Sequence, residues 1–332
     1  MPGKKRIFAL VMLKRGVILL LLLLPSCIEK VDLDSDILEG TAVCWMGDIP
    51  DSTPLSRMSI PGAHDAASAT ITAWTAWTQT QGRTIAGLWN CGVRAFDLRP
   101  ALVDGELGIY HDKYSAHVTF QQVMKALLLA LEKHPSEGAI ILIRHEEEAD
   151  GNNPLWQQAM GDYLESIRPH LVACHSGLTM GELRGKVLIL SRNEYKDGPK
   201  GAYIKGWSSS ERLQAQKGAS LIGEDGKASE LWVQDYYHPE GEQDKWEAVK
   251  AILDQMEAAG EACPLVINHC SGYLGTLPDY RTNARIINVK TADYLAERSC
   301  PAGIVMMDYA GESHSKGVYV GGDRLVSVLI GR

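Results

Sequence analysis

The sequence lacks the short motifs that mark several common metal, redox and nucleotide sites, and it contains fewer basic than acidic residues. No Cys-x-x-Cys pair occurs among its 7 cysteines, so neither a zinc ribbon nor a thioredoxin-type redox site is indicated. No Gly-x-Gly-x-x-Gly loop follows the first predicted strand, which gives no support to a dinucleotide-binding sheet. The 33 basic residues are outnumbered by 41 acidic ones, so electrostatic binding to nucleic acid is not expected.

Long apolar runs are scarce as well. The run at residues 17–24 has eight residues, whereas a membrane-spanning helix needs about 20. Residues 1–26 contain five basic residues and no acidic one. A short apolar run behind a basic segment is typical of a secretory signal peptide, which predicts that the protein is exported.

The apolar run ends in Leu-Pro-Ser-Cys at residues 24–27, which resembles the processing box of bacterial lipoproteins, with Pro25 in place of the usual small residue. This resemblance implies that residues 1–26 are removed and that Cys27 carries a lipid anchor in the cell envelope. Residues 27–44 then form an acidic tether without helical or strand periodicity. The alternative is a plain signal peptide cleaved nearby, which makes the protein secreted.

From Trp45 onward, short apolar runs alternate with longer amphipathic stretches, the pattern of repeated βα units. The predicted strands cover residues 57–61, 93–98, 107–110, 139–143, 187–190, 231–233, 265–267 and 304–307. Helical spacing occurs at residues 119–133, 155–167, 243–259 and 283–297. We predict that residues 45–332 form one α/β domain, an irregular (β/α)8 TIM-type barrel; an open doubly wound sheet is the alternative.

Polar side chains capable of chemistry follow every predicted strand. They are His64, Asp65, Asp97, Arg99, His111, Arg144, Glu146, Arg192, Asp235, Asn268, His269 and Asp308. In a barrel, residues at the carboxyl ends of the strands meet on one face, where active sites of this fold lie. We therefore expect these side chains to form one site.

Paired histidines, an arginine and several carboxylates suit acid/base catalysis on an anion such as a phosphodiester. One neutral histidine removes a proton from the attacking hydroxyl, and a second, protonated histidine donates one to the leaving oxygen. Arg99 can supply charge and planar donors to the phosphoryl oxygens. Asp65 and Asp308 can orient the two imidazoles.

A metal-dependent site must be weighed against this interpretation. Residues 95–112 have the general look of the glycerophosphodiester phosphodiesterases, which carry a second acid after the strand for a divalent ion. Here the second position is basic, in the pattern Asp97-x-Arg99. A guanidinium repels a metal ion and can replace its charge, so we expect neither a metal nor another cofactor.

Four motifs resemble those of the bacterial phosphatidylinositol-specific phospholipases C: Ile-Pro-Gly-Ala-His-Asp at 60–65, Ala-Phe-Asp-Leu-Arg at 95–99, Tyr-His at 110–111 and Met-Asp-Tyr at 307–309. The resemblance implies an irregular barrel that cleaves phosphatidylinositol to diacylglycerol and inositol 1,2-cyclic phosphate without calcium. It assigns His64 as general base, His111 as general acid and Arg99 as phosphate clamp. Asp308 is then the partner of His64, and Asp65 is the partner of His111.

The same resemblance implies a headgroup site and a membrane-contacting rim. It assigns inositol binding to Arg144, Glu146, Arg192, Asp235 and Tyr237, although Arg144 stands where the family has lysine. Trp77, with Trp74 nearby, matches an exposed membrane-touching tryptophan. Tyr273, Leu274, Leu277 and Tyr280 are candidates for the other part of that rim.

The resemblance implies phosphatidylinositol or a related inositol phospholipid as substrate, a membrane surface as partner and a monomeric protein. Two alternatives stay open. One is the same chemistry on glycosylinositol anchors or another glycerophosphodiester. The other is a non-catalytic envelope lipoprotein that binds inositol or glycans.

Overall fold

The computed structural model describes residues 43–207, 219–275 and 278–331. Its strands are β1 (Ser59–Ala63), β2 (Ala95–Leu98), β3 (Pro100–Val103), β4 (Glu106–His111), β5 (Tyr114–Thr119), β6 (Ala139–Ile143), β7 (Leu171–Val172), β8 (Val187–Ser191), β9 (Ala202–Lys205), β10 (Ala219–Gly223), β11 (Ala228–Gln234), β12 (Leu265–His269), β13 (Gly303–Met307), β14 (His314–Ser315) and β15 (Val318–Tyr319). Its α-helices are α1 (Thr75–Thr78), α2 (Ile85–Asn90), α3 (Phe120–Lys133), α4 (Glu147–Asp150), α5 (Trp156–Ser166), α6 (Met180–Leu183), α7 (Glu242–Ala259), α8 (Tyr280–Ala296) and α9 (Gly322–Ile330). The predicted signal peptide, Cys27, residues 27–42 of the predicted tether and Leu277 lie outside the described residues.

Nine of the described strands close into a barrel. Their order is β6, β2, β1, β13, β12, β11, β10, β9 and β8, and β8 pairs back to β6. Neighbouring strands run parallel, except that β10 is antiparallel to both β9 and β11. β7 adds a two-residue parallel pairing at the start of β8. The predicted irregular α/β barrel is therefore confirmed, with a mixed sheet.

Five barrel strands, β1, β2, β6, β8 and β13, are buried along their whole length. Alternate residues of these strands belong to different layers of the core. In β6, Ile140 and Leu142 pack inside the barrel with residues from the other strands. Ile141 and Ile143 pack outside, in the layer that contains the apolar faces of the helices. This alternation follows from the two-residue period of a strand, and it determines which side chains reach the mouth of the barrel.

Helix α3 shows how the sequence places a helix on the outer layer. Thr119 accepts a hydrogen bond from the backbone N–H of Gln122, whose side chain accepts one from the N–H of Thr119. This capping box satisfies two backbone donors at the start of the helix. Val123 and Leu127, spaced four apart, are among the residues that bury its apolar face. The helix predicted at 119–133 is confirmed.

The predicted strand at 107–110 exists, but it lies outside the barrel ring. It belongs to β4, the middle strand of a three-stranded antiparallel sheet with β3 and β5. Asp104 and Gly105 join β3 to β4 and both have positive φ, 51° and 82°. An Asp-Gly pair is a strong signal for a two-residue hairpin turn, so this connection forms a hairpin instead of returning to the barrel.

Two barrel strands, β9 and β10, were not predicted from the sequence. Both are short, and their residues alternate between buried and partly or fully exposed positions. Neither contains the continuous apolar run that identified the parallel strands. Together they complete the ring between β8 and β11.

No α-helix in the described parts of the chain combines the length and the apolar character needed to cross a membrane.

Candidate active site

The polar side chains at the barrel mouth follow the inward-facing residues of the strands in the same two-residue alternation. Leu142 packs inside the barrel, and Arg144, two residues later, lines a cavity at the strand ends. His145, the residue after Arg144, points to the outer layer, where it stacks on Trp156 at 4.4 Å between ring centroids and lies 2.8 Å from Asp150. Four other polar residues also come two positions after a residue that packs inside the barrel, and they line the cavity too: Asp97, Arg192, Asp235 and His269.

The cavity has a volume of about 330 Å³. Eight of the ten predicted catalytic and headgroup-binding residues line it: His64, Asp65, Arg99, His111, Arg144, Arg192, Asp235 and Tyr237. Asp308 and Glu146 do not line it, but each contacts a residue that does. The fold thus brings together the cluster that the sequence predicted. The cluster includes His111, which lies at the end of β4 in the three-stranded sheet.

His64 and Asp308 form the first pair in the site. Nδ1 of His64 lies 2.8 Å from Oδ1 of Asp308, whose side chain is fully buried. The other carboxylate oxygen accepts a hydrogen bond from the backbone N–H of Gly272 at 3.1 Å. Gln81 donates to the carbonyl oxygens of both His64 and Met307, so the ends of β1 and β13 are held together beneath the pair.

Asp65 is the centre of the second group. It is buried, with φ of 43°, a left-handed conformation that costs free energy and is often found at functional sites. Its Oδ1 lies 2.5 Å from Arg99 Nε, and its Oδ2 lies 3.1 Å from His111 Nδ1. Burial raises the pKa of Asp65, but Arg99, His64 and His111 outweigh that effect and lower it to about 2. Asp65 is therefore a carboxylate at neutral pH.

Arg99 joins the two groups. Its Nη2 lies 2.9 Å from His64 Nε2 and 3.5 Å from Asp97 Oδ2. Burial alone lowers the pKa of Arg99, but Asp65 and Asp97 reverse the shift and raise it. The guanidinium is thus permanently charged, held by carboxylates on one side and directed at the first histidine.

The two histidines have opposite electrostatic environments. Burial lowers the pKa of His64, but Asp65 and Asp308 outweigh burial and raise it to about 9. Burial also lowers the pKa of His111, and there Asp65 does not compensate because Arg99 opposes it. Pairs of titratable groups whose pKa values are pushed apart are typical of acid/base sites.

The opposite wall of the cavity carries the predicted headgroup residues. Trp207 donates from Nε1 to Asp235 Oδ2 at 2.9 Å, and the guanidinium of Arg192 lies 4.5 Å from the centroid of the Trp207 ring. Burial lowers the pKa of Arg192 to about 10. Burial raises the pKa of Asp235, but His269 and Arg192 outweigh it, so the pKa falls below its usual range. Tyr237 stays 38% exposed at the mouth.

Glu146 lies deeper than its predicted role implies. It is 3% exposed, and its Oε2 is 3.9 Å from Arg99 Nη1. Burial raises the pKa of Glu146 to about 7, against the opposing charge of Arg99. Glu146 therefore contacts Arg99.

Trp74 and Trp77 are exposed at 59% and 39% and stack on each other, with 5.1 Å between ring centroids. Trp74 has φ of 52° and immediately precedes α1. Two further rim candidates line the cavity: Tyr273 is half-buried and Tyr280 is buried. Tyr280 was therefore wrongly predicted as an exposed rim residue; its side chain forms part of the cavity wall.

Among the described residues, His64, Asp65 and Asp97 form a group whose ligand atoms lie within 4.8 Å of one another, close enough to hold a metal ion. Nitrogens of Arg99 lie 2.5 Å from Asp65 and 3.5 Å from Asp97. A fixed cation therefore already faces both carboxylates of that group.

No family model matches the sequence. It is 24% identical over 310 residues to a 1-phosphatidylinositol phosphodiesterase of Staphylococcus aureus, which covers 89% of this chain and 96% of that protein. It is 29% identical over 160 residues to a 1-phosphatidylinositol phosphodiesterase of Listeria monocytogenes. That second match spans 46% of this chain and about half of the Listeria protein, 49%.

Solved structures of the phosphatidylinositol-specific phospholipases C of the same two bacteria have this fold. The S. aureus structure aligns with a TM-score of 0.72 at 19% identity, over 90% of this chain and 98% of that one. The L. monocytogenes structure aligns with a TM-score of 0.63 at 21% identity, over 86% and 97%. The chain thus has the irregular α/β barrel of these proteins. Its resemblance to the bacterial phosphatidylinositol-specific phospholipase C family, indicated by the four motifs, is confirmed.

Proposed function

We propose that this protein is a phosphatidylinositol-specific phospholipase C that cleaves its substrate by metal-independent acid/base catalysis. The products are diacylglycerol and inositol 1,2-cyclic phosphate. The observation that carries the proposal is the arrangement of His64 and His111, each beside its own carboxylate, around Arg99 in one cavity. The relatives named above support the substrate class.

His64 acts as the general base. Asp308 accepts a hydrogen bond from Nδ1–H, which leaves the lone pair of the neutral ring on Nε2. Nε2 takes the proton of the inositol 2-hydroxyl as that oxygen attacks phosphorus. Nε2 faces Nη2 of Arg99, and a bound phosphodiester competes for that arginine donor, which releases Nε2 for the hydroxyl.

His111 acts as the general acid. The phosphorus–oxygen bond to diacylglycerol breaks, and His111 supplies the proton that the leaving oxygen needs. Asp65, 3.1 Å from Nδ1 of His111, stabilises the protonated ring. The same carboxylate holds Arg99, so the acid and the phosphate clamp share one anchor.

Arg99 supplies the positive charge that a metal ion supplies in other phosphodiesterases. Its planar donors match two phosphoryl oxygens, and its charge stabilises the developing negative charge in the transition state. The contacts with Asp65 and Asp97 fix the guanidinium before substrate binds, so little reorganisation is needed during the reaction.

The headgroup occupies the wall formed by Arg144, Arg192, Asp235 and Tyr237. Charged side chains form strong hydrogen bonds with ring hydroxyls, and Tyr237 offers a flat surface at the mouth. Glu146 acts through Arg99, which it contacts.

The active protein works at a membrane surface. The exposed Trp74–Trp77 pair supplies aromatic side chains of the kind that enter a lipid interface. We extend the proposal to an exported monomer, anchored by a lipid on Cys27 after removal of residues 1–26.

The test is hydrolysis of phosphatidylinositol micelles by the chain beginning at residue 28, in excess chelator, followed by phosphorus NMR. Formation of the cyclic phosphate supports the reaction and its metal independence together. His64→Ala and His111→Ala are the matched controls, and both should lose turnover while keeping the fold, with circular dichroism as the folding control. Product only after a divalent ion is added would contradict the mechanism. Inactivity in both conditions would favour another phosphodiester substrate or a binding protein.

A further inference from the structure

A third histidine, His269, belongs to the cavity wall but has no part in the proposed chemistry. It ends β12 and is 3% exposed. Its ring meets that of His64 edge-on at 6.0 Å and that of Trp207 edge-on at 5.7 Å, measured between ring centroids. It therefore lies between the proposed base and the proposed headgroup wall.

The two ring nitrogens of His269 differ in their surroundings. Nδ1 lies 3.0 Å from Ser271 Oγ and 3.9 Å from Asp235 Oδ1. Nε2 is buried and has no hydrogen-bond partner among the residues that the structure describes. A buried polar atom without a partner is destabilising, so a nitrogen left in this state in a cavity wall needs a partner from a ligand or from water.

The neighbours of His269 indicate which nitrogen carries the proton. Asp235 is anionic and lies on the Nδ1 side, which favours the proton on Nδ1. Burial lowers the pKa of His269 to about 4, even though Asp235 opposes it. The ring is then neutral over the working pH range, and Nε2 presents a lone pair.

We propose that His269 is a further substrate-binding residue, whose neutral imidazole accepts a hydrogen bond through Nε2 from a ring hydroxyl of a cyclic polyol headgroup. The assignment rests on the proposed function for the identity of the headgroup. It adds an uncharged acceptor to a wall that otherwise carries Arg144, Arg192 and Asp235, and it places that acceptor next to His64.

The probes are myo-inositol, with affinity measured by calorimetry, and phosphatidylinositol, with kcat and KM measured separately. His269→Phe keeps a flat ring and removes the acceptor. His269→Gln restores an amide oxygen near the position of Nε2 and is the matched control. We expect the Phe variant to weaken myo-inositol binding and to raise KM by about five- to thirtyfold, the cost of one lost hydrogen bond. The Gln variant should recover most of the loss.

A second measurement does not depend on the folding of either variant. Two-bond proton–nitrogen NMR of the histidine-labelled wild-type protein should show His269 as the neutral Nδ1–H tautomer. The Nε2 resonance should move when myo-inositol is added. A neutral Nε2–H tautomer, or an Nε2 chemical shift that does not change at saturating myo-inositol, would overturn the proposal.

The outcomes separate this inference from the proposed function. If the wild type turns over phosphatidylinositol and the Phe variant has the same KM and the same myo-inositol affinity, the role of His269 is overturned and the proposed function stands. Myo-inositol binding that depends on His269 without turnover supports the role of His269 and contradicts the function. Absence of both turnover and myo-inositol binding in the wild type overturns both.

Discussion

Nη2 of Arg99 lies 2.9 Å from Nε2 of His64. In the proposed mechanism, the guanidinium that holds the phosphate therefore faces the nitrogen that accepts the substrate proton. We propose that a bound phosphodiester takes over the Nη2 donor and frees Nε2 of His64, while Asp65 and Asp97 keep the guanidinium in place. That step couples recognition of the phosphate to activation of the attacking hydroxyl in the proposed mechanism.

The first prediction concerns that coupling. Arg99→Lys keeps the charge but loses the planar fork, because an ammonium cannot pair with two phosphoryl oxygens and with Asp65 in the same geometry. We expect kcat to fall about 10²- to 10³-fold, the usual cost of a lost transition-state donor. Steady-state kinetics on a soluble inositol phosphodiester, with circular dichroism as the folding control, measures this loss. A kcat within fivefold of wild type would contradict the clamp.

The second prediction is the pH dependence. The productive form has His64 neutral and His111 protonated, although the pKa of His64 is raised to about 9 and that of His111 is lowered. Between the two values the neutral fraction of His64 rises as fast as the protonated fraction of His111 falls. We therefore expect kcat/KM to be level there and to decline below the lower value and above about pH 9.

Asp308→Asn tests the assignment of the alkaline edge. Asp308 raises the pKa of His64 by charge and by hydrogen bond, so its removal should move that edge to lower pH, in addition to reducing the maximum rate. Asp254→Asn, an exchange at a partly exposed acid on α7, is the control and should leave the edge in place. An alkaline edge that stays near pH 9 in the Asp308 variant would show that another group sets it.

The sequence was most informative where chemistry and strand period coincide. The motifs around His64, His111 and Asp308 predicted the pairs His64–Asp308 and His111–Asp65, whose atoms lie 2.8 and 3.1 Å apart in the structure. The contact between Arg99 and Asp65 was not predicted. His269 follows a predicted strand, but the sequence alone assigns it no role. Its position two residues after the interior Ile267 was the available signal.

Other features depended on tertiary structure that a single sequence does not reveal. Trp207 lies after β9, a short strand without an apolar run, so its contacts with Arg192 and Asp235 could not be anticipated. Tyr280 looked like a rim residue because it follows a loop with other aromatics. It is buried because it begins α8 and packs with Ala284 and Tyr309 in a small apolar cluster.

The third prediction concerns the exposed tryptophans. Trp74→Ala and Trp77→Ala should each weaken binding to phosphatidylinositol vesicles by roughly tenfold, since an aromatic side chain buried in an apolar phase contributes about 1.5–3 kcal/mol. Neither should change kcat on a soluble inositol phosphodiester. Leu155, 65% exposed before α5, provides a control, because its change to Ala removes an exposed apolar side chain elsewhere. Vesicle sedimentation measures binding, and equal losses in all three variants would contradict a specific interface.

The last prediction concerns Lys245, a fully buried cation on α7 behind the headgroup wall. Its Nζ donates to the carbonyl oxygen of Tyr236 at 2.6 Å, between the two proposed inositol ligands Asp235 and Tyr237. Lys245→Met leaves that buried carbonyl without this donor. We therefore expect KM for phosphatidylinositol to rise while kcat changes less, because the residue positions the loop and does not touch the reacting atoms.

Titration of Lys245 gives an independent measurement of the same contact. Burial lowers its pKa to about 8 in the folded protein, although Asp235 opposes that shift, whereas the unfolded chain keeps a value of about 10.4. Between these two pH values the unfolded state binds more protons, so stability increases with pH. The free energy of unfolding of wild type relative to Lys245→Met should rise across that interval by on the order of 3 kcal/mol. Denaturant unfolding of both proteins at pH 7.5, 9 and 10.5 measures this difference in the free energy of unfolding. A difference that does not change with pH would mean that Lys245 has an ordinary pKa in the folded state and places no buried charge behind the proposed headgroup wall.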